Sequence, residues 1–169
     1  KGNTAHSERI GAAIAATIAD IETFYGFADH DLVVLDQLLD AQRAAKQSGQ
    51  RTPYVAALCA AADSPVRLAQ AIEQLLERVT EHVPLSARFT VSDLAAAAAL
   101  AHGAARAALV TAEVNLALLR DEPDADQARL AGLEREMDRL KVRIAERSSV
   151  IEEQAHGMIA AVPAKRSAQ

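Results

Sequence analysis

The chain has no tryptophan, only five other aromatic residues and a single cysteine among its 169 residues. One cysteine excludes an internal disulfide and any cysteine-based zinc cluster, and it suits a reducing compartment. Positive charge is in deficit: 18 Lys and Arg stand against 23 Asp and Glu, for a net charge of -5 and a pI near 5.5. Nucleic-acid binding needs a basic footprint, so no nucleic-acid partner is expected. A Gly-rich phosphate loop, a His-x-x-x-His metal spacing and a serine nucleophile elbow are all missing. His30 and Asp31 are adjacent rather than metal-spaced, so no metal site is expected. Cys59, in Ala-Leu-Cys-Ala-Ala, reads as a small core residue. The opening residues do not read as a secretory leader, and the expected location is the cytoplasm.

What is present is alanine and leucine, in a chain that is half apolar. That composition predicts an all-α fold, and the length predicts one helical domain over residues 1–169. The alanine-dense stretch Thr90–Leu119 is the expected centre of the bundle, because small side chains let neighbouring backbones approach closely. His102, Arg106 and Glu113 interrupt it too often for a bilayer span, so no membrane partner is expected.

From Ile10, apolar residues recur at 14, 18, 21, 25, 28, 32, 35 and 39, a helical stripe of about eight turns. It predicts a first helix from a cap at Ser7 to about Lys46, stopped by Ser48-Gly49 and Pro53, with Gly26 marking a bend or a tight contact. A short helix is expected from Tyr54 to Ala62, and Asp63-Ser64-Pro65 then starts a third, to about Glu81, with a stripe of Leu68, Ile72, Leu75 and Val79. The helix from Thr90 should end at Arg120, before Asp121-Glu122-Pro123-Asp124. The last carries Leu130, Leu133, Met137, Leu140, Ile144, Ile151 and Met158, with Arg147 where the seam should be apolar. Pro163 and the Lys165–Gln169 tail end the order. The expectation is a bundle of about five helices, two of them long. Stripes this long exceed what one small chain covers, which predicts a homodimer built on helix faces.

Asp31 stands out chemically. Its helical neighbours Phe24, Phe27, Ala28, Val34, Leu35 and Leu38 are all apolar. A carboxylate on such a face is either protonated and useful as a general acid or base, or paired with an arginine such as Arg106 or Arg147. The pattern favours the ion pair. Thr90-Val-Ser-Asp fits a capping box in which Asp93 reaches back to the Thr90 amide, although a helix start also binds anionic or carbonyl groups. His102, Arg106 and Glu113 share one helix face, either an ion-pair stripe or a solvated edge. Asn115 lies 22 positions beyond Asp93, roughly 33 Å along a helix, so the two cannot line one pocket within a subunit.

Several segments resemble the cyclodeaminase/cyclohydrolase family of folate one-carbon enzymes. Phe24-Tyr-Gly-Phe-Ala-Asp-His-Asp-Leu is similar to a pattern in which Asp31 takes an acidic position. Ala56-Ala-Leu-Cys-Ala-Ala-Ala-Asp-Ser-Pro-Val-Arg-Leu-Ala, Val91-Ser-Asp-Leu and Val114-Asn-Leu follow in the family's order. The resemblance implies a helical homodimer that converts formimino- or methenyl-tetrahydrofolate near its subunit interface, with no cofactor beyond the folate substrate. It implies catalytic roles for Asp31 and Asp93 and substrate-binding roles for His30, Ser92 and Asn115. The family's opening Pro-Thr-Pro-Gly-Gly-Gly-Ser loop has no counterpart here, and Lys1-Gly-Asn-Thr is similar to the linker after the helix it begins. Arg88 or Phe89 stands where the family prefers Asn, and Thr111 replaces another Asn. The alternatives are a diverged member acting on another cyclic amine or imine, and a helical dimerisation module without chemistry.

Overall fold

The computed structural model describes residues 2–87 and 89–161, with side chains from Ser7 onward; Lys1, Arg88, Pro163 and the Lys165–Gln169 tail lie outside the described residues. Within them run four α-helices and no strand: α1 Gly2–Ser48, α2 Thr52–His82, α3 Val91–Arg120 and α4 Gln127–Ala160. A 3-10 turn, Val83–Leu85, follows α2 at Pro84. All four helices are long, where about five with two long ones were expected.

No proline precedes Pro53, so nothing interrupts the amide ladder of α1, which extends for roughly 70 Å at 1.5 Å per residue. It begins at Gly2, upstream of the expected Ser7 cap, and so takes in most of the segment that resembles a linker. It ends as the sequence predicts. Gly49 adopts φ +75, and its amide closes onto the Ala45 carbonyl at 2.9 Å. That left-handed position is one glycine takes without steric cost.

The expected break at Asp63-Ser64-Pro65 does not occur: α2 continues through Pro65. Proline inside a helix removes one amide and crowds the carbonyl four residues back. Here that carbonyl, of Ala61, accepts a hydrogen bond from Asn115 of α3 instead, at 2.7 Å. A neighbour's side chain thus replaces the missing ladder bond, and Ser64 and Pro65 are buried.

The hub of the bundle is α2 rather than the alanine-rich α3: it packs on α1, α3 and α4, whereas α1 has extended contact with α2 alone. The core line of α2 is Leu58, Ala62, Val66, Ala69, Ile72 and Leu76. It is rotated from the expected stripe because alanines, silent in an apolar count of large residues, sit where helices approach. Ala98, Ala105, Ala108 and Ala112 serve α3 in the same way, and Met137, Leu140, Ile144 and Ile151 of α4 bury as predicted. Cys59 is half-buried against this core.

Several ion pairs tie the helices together. Arg51 binds Glu122 and lies 5.0 Å over the Tyr54 ring, joining the α1–α2 turn to the α3–α4 turn. Asp20 of α1 binds Arg78 of α2, and Glu73 of α2 receives both Arg143 and Arg147 of α4. The stripe of α1 stays open to solvent: Ile14, Ile18, Ile21, Tyr25, Leu32, Leu35 and Leu39 are all exposed. By length and composition alone, α1, α2 and α3 each contain a segment apolar enough to cross a membrane.

Candidate functional site

Where α1 crosses α2 and α3, Phe24, Phe27 and Asp31 meet Ser64 and Pro65 of α2 and Thr111 of α3 around a groove of about 230 Å³. On a helical wheel Asp31 falls between Leu38 and Phe24, near the edge of the α1 face that seats on α2. Its floor is apolar and its rim carries one carboxylate. Thr111, which stands where the resembling family has Asn, is part of this groove; its hydroxyl is turned back to the Ala107 carbonyl at 3.3 Å.

Asp31 is exposed rather than sequestered among hydrocarbon. The reason is architectural. Ala28 and Leu35 are exposed with it, while Val34 is buried and Phe24, Phe27 and Leu38 are half-buried: Asp31 lies at the margin where α1 leaves α2, and the stripe beside it has no cover among the described residues. Neither suggested arginine reaches it. Arg147 is held by Glu73 and Glu77, and Arg106 lies beside His102 and Lys141 in a separate groove between α3 and α4. Glu113, on that same side, pairs with Lys141 at 2.7 Å.

The remaining candidates lie outside this groove. His30, next to Asp31, is exposed, and so are Ser92 and Asp93 in the first turn of α3. Asp93 lies 15 positions before Ala108, about 22 Å along α3 from the groove. The capping box is not made: the Thr90 hydroxyl donates to the Ala87 carbonyl at 2.8 Å and gives no cap bond to α3. Thr90 keeps helical torsions, which aim its side chain away from the first-turn amides. The Asp93 carboxylate sits at the positive end of the helix with no hydrogen bond to any described residue. Thr90 and Leu94 line a second, apolar groove of about 430 Å³ with Ile10, Ile14 and Ile18 of α1. Asn115, half-buried, spends its amide on the Ala61 carbonyl.

Among the described residues two carboxylates are buried: Glu122, held by Arg51, and Glu73, which the apolar count of α2 passed over. Ala69 and Leu76 flank it at helical spacing, and Arg147 breaks the α4 seam opposite; read together, those two irregularities would have paired them. Burial works against the charge of Arg147, but the Glu73 hydrogen bond and the charges of Glu73 and Glu77 outweigh it and raise its pKa. This cluster is saturated with its own partners and forms a structural clasp.

No curated protein matches the chain. The family model described as formiminotransferase-cyclodeaminase matches residues 1–131, through all of α1, α2 and α3 and into the first turn of α4. With the Asp31 groove built wholly from those three helices, the chain belongs to the formiminotransferase-cyclodeaminase family, whose members are associated with folate one-carbon metabolism.

Proposed function

We propose that this chain is a folate one-carbon enzyme, a methenyltetrahydrofolate cyclohydrolase or a formiminotetrahydrofolate cyclodeaminase working in the cytoplasm. The observation that carries the reading is the Asp31 carboxylate at the rim of a groove walled by Phe24 and Phe27, in a chain of this family. Aromatic walls suit a flat heterocycle, and a carboxylate at their edge is placed for proton transfer. In the hydrolytic direction, water adds to the methenyl carbon and gives its proton to Asp31. That proton then goes to the ring nitrogen as its bond to the carbon breaks, and the hydroxyl's remaining proton leaves to solvent as the formyl C=O forms. In the deaminating direction, a second folate nitrogen attacks the formimino carbon and its proton passes to the formimino nitrogen; the carboxylic acid gives another proton, and the C–N bond breaks to release ammonia and leave the methenyl bridge.

The groove is small. Sites for ligands of this size usually enclose about 300–1,000 Å³, so one chain at about 230 Å³ holds only part of a folate. A second copy supplies the rest. The open stripe of α1 runs from Ile10 to Leu39 with its midpoint near Phe24-Tyr25. Antiparallel pairing about that midpoint sets Asp31 opposite the partner's Ile18. The Asp31 groove then abuts the partner's apolar groove at the foot of α3, the helix that carries Ser92 and Asp93. His30 and Asp31 from one copy and Ser92 and Asp93 from the other would line a shared site, which 22 Å forbids within one chain.

A second reading is favoured by the solvent exposure of Asp31: a dimerising scaffold without chemistry. The two separate in a spectrophotometer. Incubation with 5,10-methenyltetrahydrofolate should bleach its absorbance at a rate proportional to protein and above buffer hydrolysis, and formiminotetrahydrofolate should release ammonia if the chain is a deaminase. Absence of both turnovers in a preparation that is folded and dimeric leaves the scaffold.

A further inference from the structure

The α2 wall of the Asp31 groove is made by Ser64, Pro65 and Leu68. Pro65 has no amide to give the Ala61 carbonyl, and its ring pushes that carbonyl off the helix axis. Ala61 is 7% exposed, so its carbonyl has little access to water, and an unmade hydrogen bond there carries the full desolvation cost. Asn115 meets it from α3 at 2.7 Å. The acceptor is a carbonyl, so the donating atom must be the side-chain NH2.

We propose that Asn115 is a positioning residue for the groove. It holds the carbonyl that Pro65 frees, fixes the Ser64-Pro65 wall beside Asp31, and acts on a ligand through that wall without touching it. Asn115 does not line the groove, whereas Thr111, one turn earlier on α3, does. α3 thus offers one side chain to the cavity and the next to its wall. A leucine at 115 would fill similar space but leave the carbonyl orphaned; aspartate would set an acceptor against it. The inference rests on the Asp31 groove being the substrate site.

The test is a double-variant cycle of Asn115→Ala with Pro65→Ala, since alanine at 65 regains the amide and closes the ladder to Ala61 by itself. In the Pro65 protein, Asn115→Ala should raise KM for methenyltetrahydrofolate roughly tenfold with a smaller change in kcat, in line with an orphaned buried acceptor. In the Pro65→Ala background the same change should move KM by less than about twofold. Equal losses in both backgrounds mean that Asn115 meets the ligand directly, and no loss in either means that the bond shapes nothing; each overturns the proposal. Asn115→Asp should behave like Asn115→Ala, and wild-type behaviour from it also overturns the proposal. Inertness of all forms towards folate defeats the substrate reading alone. Amide hydrogen exchange of residues 62–68 then decides the positioning role: faster opening in Asn115→Ala, reversed by Pro65→Ala, supports it, and additive effects overturn it.

Discussion

Arg147 of α4 donates through Nε to a Glu73 oxygen at 2.5 Å, and Arg143 reaches the same oxygen at 2.8 Å. Glu73 is 4% exposed, so this carboxylate depends on its arginines. Removing one partner of a buried pair leaves an uncompensated charge, whereas replacing both with apolar residues of similar volume is often neutral. Arg147→Met should therefore lower unfolding free energy by about 2–3 kcal/mol, less than full loss because Arg143 remains. The double variant Arg147→Met, Glu73→Leu should recover most of it. Urea denaturation reads both, and a double variant as unstable as the sum of its singles would show that the two side chains are not coupled, which overturns the clasp.

That clasp also shows what was legible beforehand. The stripes of α1 and α4, the stop at Gly49 and the end of α3 at Arg120 follow from local chemistry and emerge as expected. The Asp63-Ser64-Pro65 break was a sound local inference overruled by one long-range partner, Asn115, 54 positions away from Ala61. Asp31 failed for a related reason. Its apolar neighbours say which face it is on, but not whether anything in the same chain covers that face. Arg147 reads as a flaw in the α4 stripe and Glu73 falls outside the expected α2 stripe, and only their pairing across two helices explains both.

Asp31 offers a clean separation of chemistry from stability. Because the side chain is exposed and bonds to nothing among the described residues, Asp31→Asn should change stability by no more than about 0.5 kcal/mol. If it is the proton carrier, turnover of methenyltetrahydrofolate should fall about 100-fold or more while the ligand still binds. Thermal melting and the absorbance assay, run on one preparation, measure the two effects. Full activity in the variant removes Asp31 from the mechanism.

Gly26 was expected to mark a bend or a close contact in α1, yet a Cβ built there meets nothing within 4 Å. In the middle of a helix, alanine is better than glycine by roughly 1 kcal/mol. Gly26→Ala should accordingly raise the melting temperature of the chain. A fall instead would point to a backbone against Gly26 that the described residues do not supply.

The pH response of the α3–α4 seam has a definite sign. Lys141 is raised above the ordinary lysine value of 10.5, chiefly by its hydrogen bond to Glu113, against the opposing effect of burial and with help from the Glu113 charge and from Asp138. A cation whose folded pKa is raised contributes stability that is complete below the unfolded value and is lost as pH climbs through the folded one. Stability should therefore decline above about pH 10.5, and Lys141→Met should flatten that part of the decline. The side chain is 43% exposed, so the effect should also shrink in high salt. Guanidinium-free denaturation across alkaline pH, with urea at two salt concentrations, checks both statements.

The open stripe of α1 decides whether the proposed site is ever completed. Ile18 is 55% exposed in the single chain, and antiparallel pairing would put it beside Asp31 of the other copy. A charge there costs the isolated chain little, because the position is already in water. In a helix-face dimer the same charge would be buried without a partner, at several kcal/mol across the two symmetric sites. Ile18→Glu should therefore convert a dimer to a folded monomer in sedimentation, with helix content preserved. It should also abolish turnover even though Asp31 and Asp93 are intact. Mixing Asp31→Asn with Asp93→Asn chains should restore activity to about a quarter of wild type. Random pairing gives half heterodimers, each with one intact shared site. A monomeric wild type, or mixed chains no more active than their parents, would leave Asp31 to work within its own groove.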